Sequence, residues 1–215
     1  MVPVSTAVEV CPSCGAKAGS PLVCEACGRL LRPGTPPSPF AVLGFEPAFA
    51  IDAAVARRRL LALSRTLHPD FHAASDAETR AVAEDNTAAL NAAFQVLSDD
   101  FRRADWLLRS LGGPREDEER AMPAAFLQDV LEWNETIEAA RESAPGSRER
   151  TRLESLDAEL RAARGAGMGR VAALLTPLPA RAAPALRNAR QELNALRYLD
   201  RALRELSELR LGPRP

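Results

Sequence analysis

The stretch "SRTLHPDFH" (residues 64–72) marks the end of a helix. It contains both histidines of the sequence, His68 and His72, and Pro69 and Asp70 stand between them. Because the residue before a proline is pushed out of the α region, a helix that leads into this stretch must end at His68. We therefore predict that His68, Pro69 and Asp70 lie in an exposed loop directly after a helix.

The residues before this loop predict a basic amphipathic helix over 52–67, with Asp52 capping its first turn. At about 100° per residue, three leucines share the face that enters a core. They are Leu60, Leu63 and Leu67. Arg58 and Arg65 project from the opposite face, so the helix presents a basic surface beside the loop.

A partner helix is predicted after the loop. It begins at "SDAE" (75–78), where Ser75 and Glu78 form a capping box, and it runs to Leu97. A short helix is expected near 40–43, and the chain beyond it is rich in alanine, leucine, arginine and glutamate with no alternating strand pattern. We therefore predict an all-α fold.

All four cysteines fall within the first 28 residues, as "CPSCG" and "CEACG". Each pair can wrap a tight turn that aims two thiolates at one metal ion, and the glycine that follows permits a positive φ. The predicted ligands are Cys11, Cys14, Cys24 and Cys27. Zinc is the expected occupant, iron in a rubredoxin-like site is the competing one, and a disulfide arrangement suits the spacing less well. Four thiolates leave no open position for catalysis, so the site is expected to be structural or to serve docking.

Composition divides the chain into four segments. The cysteines define a small zinc-ribbon-like module over 1–31, and "RPGTPPSP" supplies a proline-rich linker over 32–39. A helical domain is predicted over 40–112, where "GGP" marks a boundary. The remainder, 113–215, is predicted to form a three-helix bundle.

The bundle helices are predicted over 123–142, 148–175 and 183–210, with an interruption of the second at "RGAGMG" (164–169). In the first helix, one narrow stripe is apolar and is expected to face the core. It consists of Phe126, Val130, Trp133 and Ile137. The last helix has a similar seam, formed by Ala189, Leu193, Leu196, Leu199, Leu203 and Leu206.

The overall composition favours a folded protein of nearly neutral charge. The 215 residues are 46% hydrophobic, which suffices for one large or two small domains. A net charge of -1 supplies no basic field for nucleic acid, and no apolar run reaches membrane-spanning length. The start, "MVPVSTAVEV", lacks a basic segment followed by an apolar one, so a cytoplasmic protein is expected. Self-association stays open.

Two catalytic interpretations of the histidine-containing loop are disfavoured. A metal site made of His68 and His72 needs the helical spacing that Pro69 breaks, and no serine stands in the tight turn of a nucleophilic triad. Instead, "HPD" between a basic amphipathic helix and an antiparallel partner helix resembles a J-domain. The resemblance implies that this region binds the ATPase side of a seventy-kilodalton heat-shock chaperone, of the HscA/DnaK type, and accelerates its ATP hydrolysis.

The resemblance also assigns residues to chaperone binding. They are His68, Pro69, Asp70, Arg58 and Arg65. Asp70 would accept charge-assisted hydrogen bonds from an arginine of the chaperone, and the two arginines would steer toward an acidic patch. Most J-domains continue with a lysine, whereas this chain has Phe71, which is expected to pack back between the helices.

Three further stretches resemble the iron–sulfur cluster assembly co-chaperones of the HscB family. They are "FAVLGF" (40–45), "LNAAFQVL" (90–97) and "RADWLL" (103–108). In that family a J-domain is joined to a C-terminal three-helix bundle that holds an IscU-type cluster scaffold. The resemblance covers residues 40–215, and the cysteine module is similar to an extra metal-binding segment of some members.

The scaffold-binding residues that this resemblance implies are Leu127, Gln128, Leu131, Glu132, Glu135 and Tyr198. Periodicity places Leu127 and Leu131 about 100–140° away from the core stripe of their helix. Tyr198 points about 160° away from its seam, so it is expected to need a partner. Gln128 stands where a larger apolar residue is usual and Ala139 where an acidic residue can stand; both would weaken the patch.

The sequence thus predicts an adaptor and not an enzyme. The bundle would hold the scaffold, and the J-domain would recruit the chaperone and stimulate its ATPase during iron–sulfur cluster biogenesis. The alternative is a general J-domain co-chaperone for unfolded clients. A zinc-ribbon regulator that binds nucleic acid is disfavoured by the neutral charge.

Overall fold

The computed structural model describes residues 10–144 and 146–211. Residues 1–9, Pro145 and 212–215 lie outside these ranges. The expectation of a cytoplasmic location rests on residues 1–10 and so falls almost wholly outside the described part. Within the described ranges the regular elements are helices, apart from isolated β-bridges near the cysteines, so the prediction of an all-α fold is confirmed. The chain divides into two compact units, Met1–Ser110 and Leu111–Pro215.

Over residues 10–110, the first unit contains four α-helices and one 3₁₀ turn. The helices are α1 (Pro39–Val42), α2 (Ala53–Leu67), α3 (Ala77–Ser98) and α4 (Asp100–Ser110), and the 3₁₀ turn is Pro69–His72. Asp52 caps α2 as predicted, because its Oδ1 accepts the N–H of Val55 at 3.0 Å. The prediction of a capping box at Ser75 is wrong. Asp76 is the N-cap of α3, and its Oδ1 accepts the N–H of Thr79 at 2.7 Å.

The core of the first unit lies between α2 and α3. Leu63 and Leu67 of α2 are buried as predicted, whereas Leu60 is only half-buried. The facing side of α3 is apolar except for one buried amide. Its buried residues are Ala83, Asn86, Leu90, Ala93 and Leu97. Helix α3 therefore presents both leucine and a polar side chain to the interior.

The second unit contains α5 (Ala124–Arg141), α6 (Arg148–Leu174) and α7 (Pro184–Leu211). The predicted core stripes are buried, with Val130 and Leu203 half-buried at their margins. The predicted interruption of α6 is wrong, because the helix runs unbroken through 164–169. A Cβ on Gly167 would lie 3.1 Å from the Leu196 Cδ2, so this glycine permits a close approach of α6 and α7.

Within the described ranges, no helix combines the length and the apolar character that crossing a membrane requires.

Candidate metal centre and docking surfaces

The four cysteine sulfurs converge at one point. All four lie within 4.8 Å of one another, with 3.7 Å between the Sγ atoms of Cys11 and Cys27 and 3.6 Å between those of Cys14 and Cys24. Ligands at the usual Zn–S distance place tetrahedral sulfurs about 3.8 Å apart. A disulfide needs about 2.05 Å. The four free thiols can therefore hold a tetrahedral metal ion, as predicted.

Two equivalent turns build this site. The N–H of Gly15 donates to the carbonyl of Cys11 at 2.9 Å, and the N–H of Gly28 donates to that of Cys24 at 2.8 Å. Both glycines have positive φ, 72° and 73°, a region that other residues enter at a cost. Each C-x-x-C-G segment thus closes on itself and brings its two sulfurs together.

The protonation of the thiols shows what the site requires. Amide N–H groups of Cys14 and Ser13 lower the pKa of the Cys11 thiol to about 6. The amide of Ala16 also lowers the pKa of Cys14, but the neighbouring thiols, Cys27 first, outweigh it and raise that pKa to about 12. Cys11 and Cys14 thus differ in how readily they lose a proton, and a bound cation would favour the thiolate form of its ligands.

Hydrogen bonds fasten the cysteine-containing segment to the helices of the first unit. The Ser20 hydroxyl donates to the carbonyl of Val42 at 2.9 Å. The side-chain amide of Asn86, only 4% exposed, donates to the carbonyls of Leu22 at 2.8 Å and Leu31 at 2.9 Å. Sequence analysis missed Asn86, because nothing local in α3 indicates acceptors 55 and 64 residues away.

The His-Pro-Asp segment lies at the surface, where the sequence predicts it. His68 is the C-cap of α2, and its Nδ1 accepts the N–H of Asp70 at 3.2 Å. The Asp70 side chain is 89% exposed, so its carboxylate is open to a partner. His72 bonds through Nε2 to the carbonyl oxygen of Thr66 at 2.9 Å. The two histidines are therefore used separately, and the cysteines are the described residues that cluster as metal ligands.

Phe71 does not pack between the helices, so that expectation is wrong. Its side chain is 72% exposed, and its ring contacts only the edge of the His68 ring among described aromatic pairs, at 6.3 Å between centroids. Arg58 and Arg65 are exposed, and Leu61, 52% exposed, lies between them on the same face of α2. Sequence analysis missed Leu61. We call this set the loop surface: Arg58, Leu61, Arg65, His68, Pro69, Asp70 and Phe71.

The second unit carries a different exposed surface on α5. Leu127 and Leu131 are 46% and 66% exposed. Three exposed polar residues share their side of the helix: Gln128, Glu132 and Glu135. We call these five residues the leucine patch, a short apolar strip with two carboxylates beside it.

Tyr198 finds partners within its own unit, which corrects the expectation that it lacks them. Its ring meets that of Phe126 edge-on at 5.7 Å, and its hydroxyl donates to the Oδ1 of Asn134 at 2.6 Å. Burial raises the pKa of its hydroxyl. Because Asn134 is three residues from Leu131 on α5, half-buried Tyr198 still borders the leucine patch.

Curated relatives match part of this chain. The co-chaperone protein HscB homolog of Shewanella sp. (strain ANA-3) is 37% identical over 106 residues, which are 49% of this chain and 61% of that protein. The homolog of Shewanella baltica (strain OS155) is 35% identical over the same shares. The chain thus spans about three fifths of the length of these relatives.

Two solved structures share the fold. Chaperone HscB from Vibrio cholerae superposes with a TM-score of 0.64 at 22% identity, covering 79% of this chain and 95% of that one. The human co-chaperone protein HscB superposes with a TM-score of 0.72 at 20% identity, covering 93% of this chain and 97% of that one.

A helical hairpin with an exposed His-Pro-Asp loop, followed by a three-helix bundle, is the arrangement of a J-domain joined to a C-terminal helical domain, which this chain resembles. Residues 122–207, in that bundle, match the family model described as the HSCB C-terminal oligomerisation domain. This match assigns the C-terminal bundle to that domain family, and the chain as a whole is similar to HscB co-chaperones in sequence and in fold.

Proposed function

We propose that this protein is an adaptor in iron–sulfur cluster biogenesis. It binds an IscU-type scaffold through the leucine patch, recruits an HscA/DnaK-type chaperone through the loop surface, and stimulates the ATPase of that chaperone. One observation supports this proposal above the others: each unit exposes a separate surface of distinct chemistry, with Asp70 open in the first and Leu131 open in the second.

The loop surface suits a partner with both charges and an apolar contact. The exposed Asp70 carboxylate can accept two hydrogen bonds from an arginine of the chaperone, while Arg58 and Arg65 attract an acidic patch beside it. The bond from the Asp70 amide to His68 holds the loop in one conformation before binding, which lowers the entropy lost on association. Phe71 adds an apolar contact where a lysine is usual.

The leucine patch suits a partner with an apolar centre and a basic edge. Leu127 and Leu131 lose water-exposed area on binding, and Glu132 and Glu135 can pair with cations around them. Tyr198 supports the margin of the patch through Asn134. Gln128 and Ala139 lower the apolar and acidic content, so binding of moderate strength is expected.

The metal centre has a structural role in this proposal, and zinc is the proposed occupant. Cys11, Cys14, Cys24 and Cys27 complete a tetrahedral shell, so bound zinc would supply folding energy and leave no position for a substrate. ATP hydrolysis takes place on the chaperone. This chain itself makes and breaks no covalent bond.

A titration of three purified proteins tests the proposal. We expect the chain to bind a cluster scaffold with a Kd of about 1 μM or tighter, and to bind the ATP-loaded chaperone at the same time. Mutual exclusion of the two partners, or binding of neither, would contradict the adaptor role. Chaperone stimulation without scaffold binding would favour a general co-chaperone for unfolded clients instead.

A further inference from the structure

One turn of α3 connects the cysteine module to the base of the His-Pro-Asp loop. Asn86 donates its side-chain amide to the carbonyls of Leu22 and Leu31 in the module. The next residue, Thr87, donates its hydroxyl to the carbonyl of Leu67 at 3.0 Å. Leu67 ends α2 immediately before His68. Of two consecutive side chains of one helix, the first thus contacts the module and the second contacts the residue immediately before the loop.

The Asn86 contacts depend on the shape of the module. Leu22 and Leu31 lie on either side of the second C-x-x-C turn, and the N–H of Leu31 donates to the carbonyl of Leu22 at 2.9 Å. The spacing of the two acceptors is therefore set by that closed turn. A buried amide that loses its acceptors is costly, so Asn86 strongly favours the closed form.

The apolar cluster that surrounds the cysteines is small. Its buried members are Cys11, Ala18, Cys24 and Leu31, with Ala16 packed against them. Two of these members are the cysteines that a metal would hold. A module of this kind gains most of its folding free energy from the metal, so its carbonyls keep their spacing when the metal is bound.

We propose that the tetracysteine metal centre positions the chaperone-binding loop, with Asn86 and Thr87 as the positioning residues. The metal holds the module in its closed form, and the carbonyls of Leu22 and Leu31 in that form hold the Asn86 side chain. Thr87, in the same helical turn, holds the carbonyl of Leu67, directly before the loop. Loss of the metal loosens residues 64–72. The structural part of this proposal is independent of the proposed function; only its effect on chaperone stimulation rests on that function.

Linkage gives the proposal a reciprocal consequence. If the bound metal stabilises the Asn86 contacts, then the Asn86 contacts stabilise the bound metal by the same factor. Asn86→Ala, in the helix, should therefore weaken metal binding at a site whose ligands are unchanged. Coupling of ordinary size corresponds to about a 5- to 100-fold difference.

The experiment uses the full-length, metal-loaded protein with Asn91→Ala as the matched control, because Asn91 is an exposed asparagine of the same helix. Metal affinity is measured for each variant by equilibrium competition with a chromogenic chelator, and circular dichroism confirms that the helices are retained. Asn86→Ala is expected to bind metal at least about 5-fold more weakly than the wild type, and Asn91→Ala with unchanged affinity. Equal affinities for the two variants would overturn the proposal.

A second measurement needs no substitution in the module. Hydrogen exchange of the wild-type protein is compared with and without metal, and exchange at residues 64–72 is expected to rise more than exchange in α4, which belongs to the same unit. Thr87→Val should raise exchange at 64–72 while the metal stays bound. A uniform rise across the unit, or no change at 64–72, would overturn the proposal.

Chaperone stimulation completes the test. If metal removal loosens the loop and lowers stimulation while scaffold binding stays intact, the positioning role and the proposed function both hold. If the loop loosens and even the metal-loaded wild type stimulates no chaperone, the proposed function fails and the positioning role stands.

Discussion

The loop surface is mainly charged, whereas the leucine patch is mainly apolar. The loop surface places Leu61 and Phe71 among charged side chains, whereas the leucine patch places two carboxylates beside adjacent leucines. Charged surfaces mainly speed association and select orientation, while buried apolar contacts mainly slow dissociation. Under the proposed function, we therefore expect chaperone binding to consist of fast, repeated encounters and scaffold binding to last longer.

The two surfaces also differ in what fixes their conformation. The leucine patch occupies consecutive turns of α5, whose own hydrogen bonds and buried Trp133 and Ile137 hold it. The loop surface depends on individual side-chain bonds, those of His68, His72 and Thr87. A single substitution should therefore disturb the loop surface more than the patch.

The largest expected effect is on the loop surface. Asp70→Asn removes the charge of an 89% exposed carboxylate and keeps its shape, so chaperone ATPase stimulation should fall at least about 30-fold. Scaffold binding should be unchanged. Steady-state ATPase assays measure the first and calorimetry the second. Asp85→Asn, at an exposed position of α3, is the control; equal losses in both variants would show that total charge and not this carboxylate matters.

The second largest effect is expected on scaffold affinity when the leucine patch is truncated. Replacing Leu127 and Leu131 by alanine removes apolar area from the centre of the patch, and scaffold affinity should fall about 10- to 30-fold with stimulation of the chaperone alone unchanged. Leu61→Ala, which truncates an exposed leucine of the other unit, is the matched control for scaffold binding. If the control weakens scaffold binding as much, the scaffold site lies elsewhere.

Salt concentration should affect binding at the two surfaces differently, without any substitution. Raising the salt concentration from about 0.05 to 0.5 M shortens the Debye length several-fold, so chaperone affinity should fall about 10-fold through slower association. Scaffold affinity should change about 3-fold or less, because the leucines contribute most of it. Surface plasmon resonance at both salt concentrations measures the two rates. Equal salt dependence would contradict the contrast between the surfaces.

The features that the sequence predicted are those that depend on local spacing. The two C-x-x-C-G turns, the end of α2 before Pro69 and the apolar stripe of α5 each follow from residues a few positions apart. The role of Asn86 could not be predicted, because the two carbonyls that accept its hydrogen bonds belong to Leu22 and Leu31, far away in the sequence. Tyr198 was misjudged for a similar reason, since Asn134 is 64 residues away.

Smaller errors came from competition between neighbouring local signals. Ser75 and Asp76 are both good caps, and the structure uses the second. The glycines at 164–169 favour a break, but Gly167 lets α6 lie close to Leu196, and packing against α7 keeps the helix intact. Helix propensity is weaker than tertiary packing at such a position.

The smallest expected effect comes from a substitution that enlarges the apolar area of the leucine patch. Gln128→Leu adds an apolar side chain beside Leu131, and the extra buried area should strengthen scaffold binding about 5-fold, mostly through slower dissociation. Gln95→Leu, which adds an equal leucine to an exposed position of α3, controls for nonspecific adhesion. If Gln95→Leu strengthens binding equally, general hydrophobicity explains the gain. If Gln128→Leu alone strengthens it and the association rate stays constant, the patch is limited by its apolar content, in contrast to the charge-dependent loop surface.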